Sequence, residues 1–254
     1  SIFDWNTTST PGLTGVIFFP DASALVIPVL RFSVAPGLAM GGATALTVYG
    51  ILESNTPVIF SGASAKIFRN GIIGTANASI NAGIGRFVIN GTIAGLGGLG
   101  TITPNSNGID IGSSTTATLI SNKTVLGDIN LLSNSYVDLE TFNLTVSGNV
   151  IGGTTTSYIR TASTGALILN SVATKDFPVG DTKYNPITIH TGSGHNWTVN
   201  VNDGVTADIP RTTDGAVWLT WNITPSVNPP TVGTDITFQF DSTWAGGQIG
   251  IDFN

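Results

Sequence analysis

The chain has 254 residues, only 9% of them charged, with 41% hydrophobic residues, 32 glycines, no cysteine and a formal net charge of −6. No disulfide, thiolate chemistry or Cys-based metal site is available to such a chain, and the scarcity of Glu, Lys, Arg and Gln removes the good helix formers. There is no basic cluster to meet a phosphate backbone, so no nucleic acid is expected as a partner, and solubility must rest on the hydroxyls and amides typical of stacked β-structure.

Residues 1–34 are apolar for a terminal stretch: Ile2, Phe3, Trp5, Phe18 and Phe19 lie among only three charges, Asp4, Asp21 and Arg31. This reads as an N-terminal strand or capping segment, and Ser1 reads as a mature terminus left after a signal is removed. The uncharged run from Phe32 to Leu52 is broken by Pro36, Gly37, Gly41, Gly42 and Gly50, so no membrane span is expected.

Between 35 and 175, glycines recur at Gly50, Gly71, Gly91, Gly108, Gly127, Gly148 and Gly165, a spacing that is regular but not constant. Related text surrounds them, as in Leu46-Thr-Val-Tyr-Gly50-Ile-Leu, Phe68-Arg-Asn-Gly71-Ile-Ile and Leu144-Thr-Val-Ser-Gly148-Asn-Val. A period near 20 marks stacked supersecondary units, and short alternating runs such as Tyr136-Val-Asp-Leu-Glu140 suit strands with one buried face. The expected fold is therefore all-β, with a right-handed parallel β-helix over 35–175 whose turns depend on glycine. Gly95-Leu-Gly97-Gly-Leu-Gly100 matches a dinucleotide fingerprint, but Thr101-Ile-Thr-Pro104 cannot open the helix this needs, so a turn between rungs is expected there and no cofactor. Asp138 and Glu140 share one strand face opposite Val137 and Leu139. They are the best candidates for glycan cleavage, against the commoner reading of a solvated pair.

Beyond 176 the pattern changes. Trp197-Thr-Val-Asn-Val201, Val217-Trp-Leu-Thr-Trp221, Ile236-Thr-Phe-Gln-Phe240 and Ile249-Gly-Ile-Asp-Phe253 alternate cleanly, with prolines at the joints, so an antiparallel β-sandwich-like domain is expected over 176–254. Asp176-Phe-Pro-Val-Gly-Asp181, Tyr184-Asn-Pro-Ile-Thr-Ile189 and Thr220-Trp-Asn-Ile-Thr-Pro225 resemble a segment of large secreted surface proteins of Bacteroidota, and the glycine-rich run at 42–50 is similar to their β-helical repeats. The resemblance implies export, of the type IX cargo kind, to a bacterial cell surface or the extracellular space, and an adhesive, surface-layer or filament role.

The remaining chemical candidates are few. His190 and His195 have neither elbow nor metal spacing and read as flanking a hairpin turn. Asp176, Asp181, Asp203, Asp208 and Asp214 are loop acids without the alternating pattern of a calcium loop, so no metal site is expected. By alternation Trp197 and Trp221 face a core, which leaves Trp218 as the glycan-stacking candidate.

The expected function is that of a non-catalytic extracellular structural or adhesive protein. It is a candidate filament subunit whose partner is a second copy, head to tail, with surface glycans as further partners. The interface candidates are Ile2, Phe3, Trp5, Phe18 and Phe19 at one end and Ile249, Ile251 and Phe253 at the other. The competing reading is a polysaccharide-binding or polysaccharide-cleaving β-helix.

Overall fold

The computed structural model describes residues 108–171, 173–190, 194–203, 219–227 and 233–239 continuously, and residues 2–5, 16–18, 25–32, 39–41, 46–54, 58–59, 65–69, 71–74, 79–81, 86–90, 93–96 and 101–103 as strand-centred stretches. Every regular element among them is a β-strand. The composition anticipates this, since Val, Ile and Thr favour the pleated surface and few residues favour a helix.

The strands stack in three parallel columns. The first runs through Lys66–Phe68, Phe87–Ile89, Ile109–Ile111, Ile129–Leu131 and Val150–Ile151. The second runs through Gly71–Gly74, Ile93–Leu96, Thr116–Leu119, Tyr136–Asp138, Tyr158–Arg160 and Val179–Gly180. The third runs through Val58–Ile59, Ser79–Asn81, Thr101–Thr103, Lys123–Val125, Leu144–Val146 and Leu167–Ser171. Partners within a column belong to successive turns of the chain, as in Ile109 with Ile129 and Gly71 with Gly95. Lys66 and Val150 are separated by four turns of this coil, which is a β-helix. The long strand Leu46–Ser54 serves both of the first two columns, pairing with Lys66–Phe68 by its first half and with Gly71–Gly74 by its second.

Alternation sets the core. Phe87 and Ile89, Ala117 and Leu119, Val137 and Leu139, and Leu144 and Val146 turn inward and are sealed from solvent, while the residues between them face outward. One apolar cluster runs from Leu30 through every rung to Leu219. Inside it, the rings of Phe68 and Phe87 lie 4.8 Å apart in successive rungs.

Turn geometry needs glycine at some corners and not at others: a Cβ at Gly148 would come within 2.6 Å of the Gly127 carbonyl carbon, and one at Gly165 would collide with the Phe142 carbonyl oxygen. Among the repeat glycines, Gly108 adopts a left-handed backbone (φ 76°), and a Cβ there would approach the Asp128 carbonyl oxygen to 2.6 Å. The other left-handed turn positions include Ser114, Asn134 and Glu140, with φ of 57°, 57° and 54°. Gly95 lies within the strand Ile93–Leu96 and pairs with Gly71 and Thr118, so that part of the glycine-rich run is strand and not turn. Gly91 is outside the described residues.

After residue 171 two groups of antiparallel strands appear. His195–Asp203 pairs with Leu167–Ser171 and then with Leu219–Pro225, extending the third column. Lys175–Phe177, Ile187–His190 and Asp235–Phe238 form a separate three-stranded sheet. Both groups bury their apolar faces (Phe177, Ile187, Ile189, Trp197, Val199, Val201) in the same cluster as the rungs. Val179–Gly180 still stacks in parallel on Tyr158–Arg160, beyond the point where the sequence pattern changes. His190 and His195 belong to different sheets, which corrects the expected hairpin between them: one strand is drawn to the three-stranded sheet and the other to the open edge of the third column.

Candidate functional site

The outward face of the second column carries the most chemically varied cluster among the described residues. Tyr136 and Asp138 project from one rung, and Tyr158 and Arg160 project from the next in direct register. Val137, Leu139 and Ile159, between them, are fully buried and hold both strands against the core. Stacking therefore places an acid beside a base and a tyrosine beside a tyrosine.

The tyrosines form a ladder. Tyr136 meets Tyr158 edge to face with centroids 5.1 Å apart, and Tyr158 meets Tyr184 at 5.7 Å. Tyr158 is thereby almost wholly covered on an outer face, and its hydroxyl donates to the Asp181 carbonyl oxygen at 3.2 Å. Arg160 lies over the Tyr136 ring, 3.5 Å from its centroid, and donates through Nη1 to Asp138 Oδ1 at 3.5 Å. The stack and the ion pair together fix the guanidinium in one place.

Asp138, Glu140, Arg160, Ala162, Ser163, Asp181 and Thr182 line a cleft of about 350 Å³ on this face. Burial pushes the Asp138 carboxyl above the usual carboxylate range. The Arg160 charge and hydrogen bond oppose this, and the nearby Glu140 charge adds to it. Burial raises Asp181 as well; the backbone N–H of Asp203, which donates to Asp181 Oδ2 at 2.7 Å, opposes the shift, and the Asp203 carboxylate reinforces it. The Asp203 Oδ2 also accepts from the Thr182 hydroxyl. Glu140 sits at the rim with an exposed side chain and a left-handed backbone, its carbonyl oxygen accepting from Gly165 N at 2.9 Å.

Asp138 and Glu140 do face outward, but Asp138 is a half-buried acid paired with Arg160 and not half of a simple solvated pair. Tyr136, Tyr158, Arg160, Tyr184 and Asp181 join it in the structure, and the sequence reading did not connect them. Tyr136 and Tyr158, like Asp138 and Arg160, stand one rung apart, but the repeat in the sequence is too irregular to have set that register.

The other candidates lie apart from this cleft. His190 Nε2 is 2.9 Å from Thr237 Oγ1, and His195 pairs with Ser171 across the third column, so the two imidazoles share no site. Trp197 is buried in the core, whereas Trp221 is half-buried against its margin, packing edge to face on Phe238 at 5.2 Å and donating to the Asn185 carbonyl oxygen. Asp176 accepts from the Thr188 hydroxyl at 2.7 Å. Among the described residues no group of three or more His, Asp or Glu is placed to hold a metal ion, and no helix is long and apolar enough to cross a membrane.

At the N-terminal end, Ile2–Trp5, which contains Ile2, Phe3 and Trp5, pairs in parallel with residues 29–32 of its own chain, and Val16–Phe18, ending at Phe18, pairs with Ala39–Gly41. Phe19, Trp218, Ile249, Ile251 and Phe253 lie outside the described residues. No protein-family model matches the chain, and comparison with curated proteins and with solved structures found no match.

Proposed function

We propose that this chain is a non-catalytic structural or adhesive protein of a bacterial cell surface or the extracellular space, acting as a rigid rod that associates with copies of itself. The observation that carries this reading is the single apolar cluster that runs through all the rungs and into the antiparallel strands. Each rung is fixed by its neighbours, so the unit resists bending and presents repeated polar faces, while the ends of the parallel columns offer strand edges for further pairing. Because Ile2–Trp5 already uses one main-chain edge on residues 29–32, head-to-tail addition would use its opposite edge.

Electron microscopy and sedimentation of the full chain test the assembly. Ordered polymers that become monomers when residues 1–12 are deleted, with an unchanged β-rich spectrum, are the expected result. Discrete monomers at every concentration would remove the filament role.

A second reading, polysaccharide binding or cleavage, is favoured by the cleft around Asp138 and Arg160, where a fixed cation and carboxyl groups of raised pKa share a concave face. Release of reducing ends from a panel of polysaccharides, lost in Asp138→Asn, would establish cleavage and displace the non-catalytic role.

A further inference from the structure

We infer that the cleft on the outer face of the second column is a binding site for neutral saccharides, with Arg160 and Asp138 as the paired donor and acceptor for adjacent sugar hydroxyls and Glu140 and Asp181 as flanking acceptors.

A pyranose ring presents neighbouring hydroxyls that each donate and accept, and the residue pair that meets two of them at once is a fixed guanidinium beside a fixed carboxyl group. Arg160 and Asp138 form such a pair, 3.5 Å apart, with Arg160 held by the face of Tyr136 and Asp138 by the buried Val137 and Leu139 on either side. Both are only partly exposed, at 32% and 23% of their side-chain surface, so a ligand meets groups that have already lost much of their freedom and their water. The parallel strands beneath keep the geometry from rung to rung.

Charge selects among saccharides. The lining holds Asp138, Glu140 and Asp181 against Arg160 alone, and Asp203 lies against Asp181 and Thr182. The single Arg160 charge is already offset by Asp138, while its other N–H groups stay available as donors. An incoming carboxylate or sulfate would meet the remaining acids without a cation to receive it, whereas uncharged hydroxyls find acceptors on both sides. No described cluster is placed to hold a metal ion that would bridge an anionic sugar to these acids.

This inference rests on the glycan reading of the cleft and is independent of self-assembly, which sedimentation reads separately. Titration calorimetry and saturation-transfer NMR on the full chain, with cellohexaose, xylohexaose, mannohexaose and hexagalacturonate as probes, test it. At least one neutral hexasaccharide should bind, and Asp138→Asn and Arg160→Gln should each weaken it 10-fold or more. Hexagalacturonate should bind at least 10-fold more weakly than the best neutral probe. Asp176→Asn, outside the cleft, should leave affinity unchanged. Glu140→Gln changes only an exposed rim residue, so it reads the site even if the Asp138 and Arg160 variants fold poorly; it should weaken the best neutral probe about 3-fold. Binding of no neutral probe, preference for hexagalacturonate, or affinity unchanged in well-folded Arg160→Gln and Glu140→Gln would overturn the inference.

Discussion

The rungs between 108 and 171 and the antiparallel strands between 187 and 227 satisfy the same backbone chemistry in different ways. In the rungs, a polar side chain at one turn serves the backbone of the next. Asn122 Oδ1 accepts from Asn143 N at 2.9 Å, Asn143 Oδ1 accepts from Ala166 N at 3.1 Å, and Asp128 Oδ1 accepts from Asn149 N at 2.7 Å. The arrangement is additive, since one more rung brings one more copy of the contact. Where the coil gives way to the antiparallel strands, a single buried device takes over. Asn200 Nδ2 donates to the carbonyl oxygens of Thr161, Ser163 and Gly165 at 3.1, 2.9 and 2.7 Å, and the Thr161 hydroxyl donates to Val201 O at 2.7 Å and accepts from Val201 N at 2.9 Å. A repeating coil can distribute its polar satisfaction over many weak, similar contacts, but its termination concentrates that task in a few residues.

The strongest way to break this comparison lies in the rung core. Phe87 is fully buried against Phe68, so Phe87→Ala should cost about 3–5 kcal/mol, read by denaturant unfolding, with the loss shared by the neighbouring rungs.

Asn200→Ala should cost about 2 kcal/mol, because the buried contacts to the Thr161 and Gly165 carbonyls and the part-buried one to Ser163, which share the two N–H groups of one amide, are lost together. Its signature is local. Hydrogen exchange should accelerate across 195–203 and stay slow across 123–146; uniform acceleration would mean that the terminal strands and the rungs form one cooperative unit.

A stabilising change sharpens the contrast from the other side. Lys123 points into the coil, and burial lowers its pKa from 10.5 to about 8. The folded state therefore binds this proton less tightly than the unfolded chain does. The resulting penalty is fully present below pH 8 and is relieved as pH rises from about 8 to 10.5. Lys123→Met should stabilise the protein by about 1–2 kcal/mol at pH 7, and the difference from the parent should shrink across that alkaline window. A constant difference from pH 7 to 11 would assign the gain to packing alone.

The smallest effect expected is at Glu140, whose φ of 54° carries a steric cost that glycine avoids. Glu140→Gly should stabilise by about 0.5 kcal/mol, the relief of strain slightly exceeding the added freedom of the unfolded chain. A loss of stability would show that the Glu140 side chain holds the turn.

The sequence by itself determined the class of fold and the facing of its strands. Recurrent glycine-centred text pointed to a coil, and strict alternation put Val137 and Leu139 inside, Asp138 and Glu140 outside, and Trp197 in the core, because a strand reverses its side chains at every residue. The unequal glycine intervals have a structural explanation that the sequence did not reveal. Gly108 and Gly148 precede strands of the first column, whereas Gly165 precedes a strand of the third, so the short interval from Gly148 to Gly165 compares different corners of the coil. Only the tertiary structure decided which residues meet across rungs. The offset between partners varies along the coil, being shorter from Ile109 to Ile129 than from Gly71 to Gly95, so no single period could pair Asp138 with Arg160 or Tyr136 with Tyr158. A slip of one residue would have turned those side chains to the opposite face. The same holds for His190 and His195: strands so close in sequence read as a hairpin, but the open edge of the third column and the three-stranded sheet each claimed one of them, since buried backbone groups are paired wherever a free edge allows.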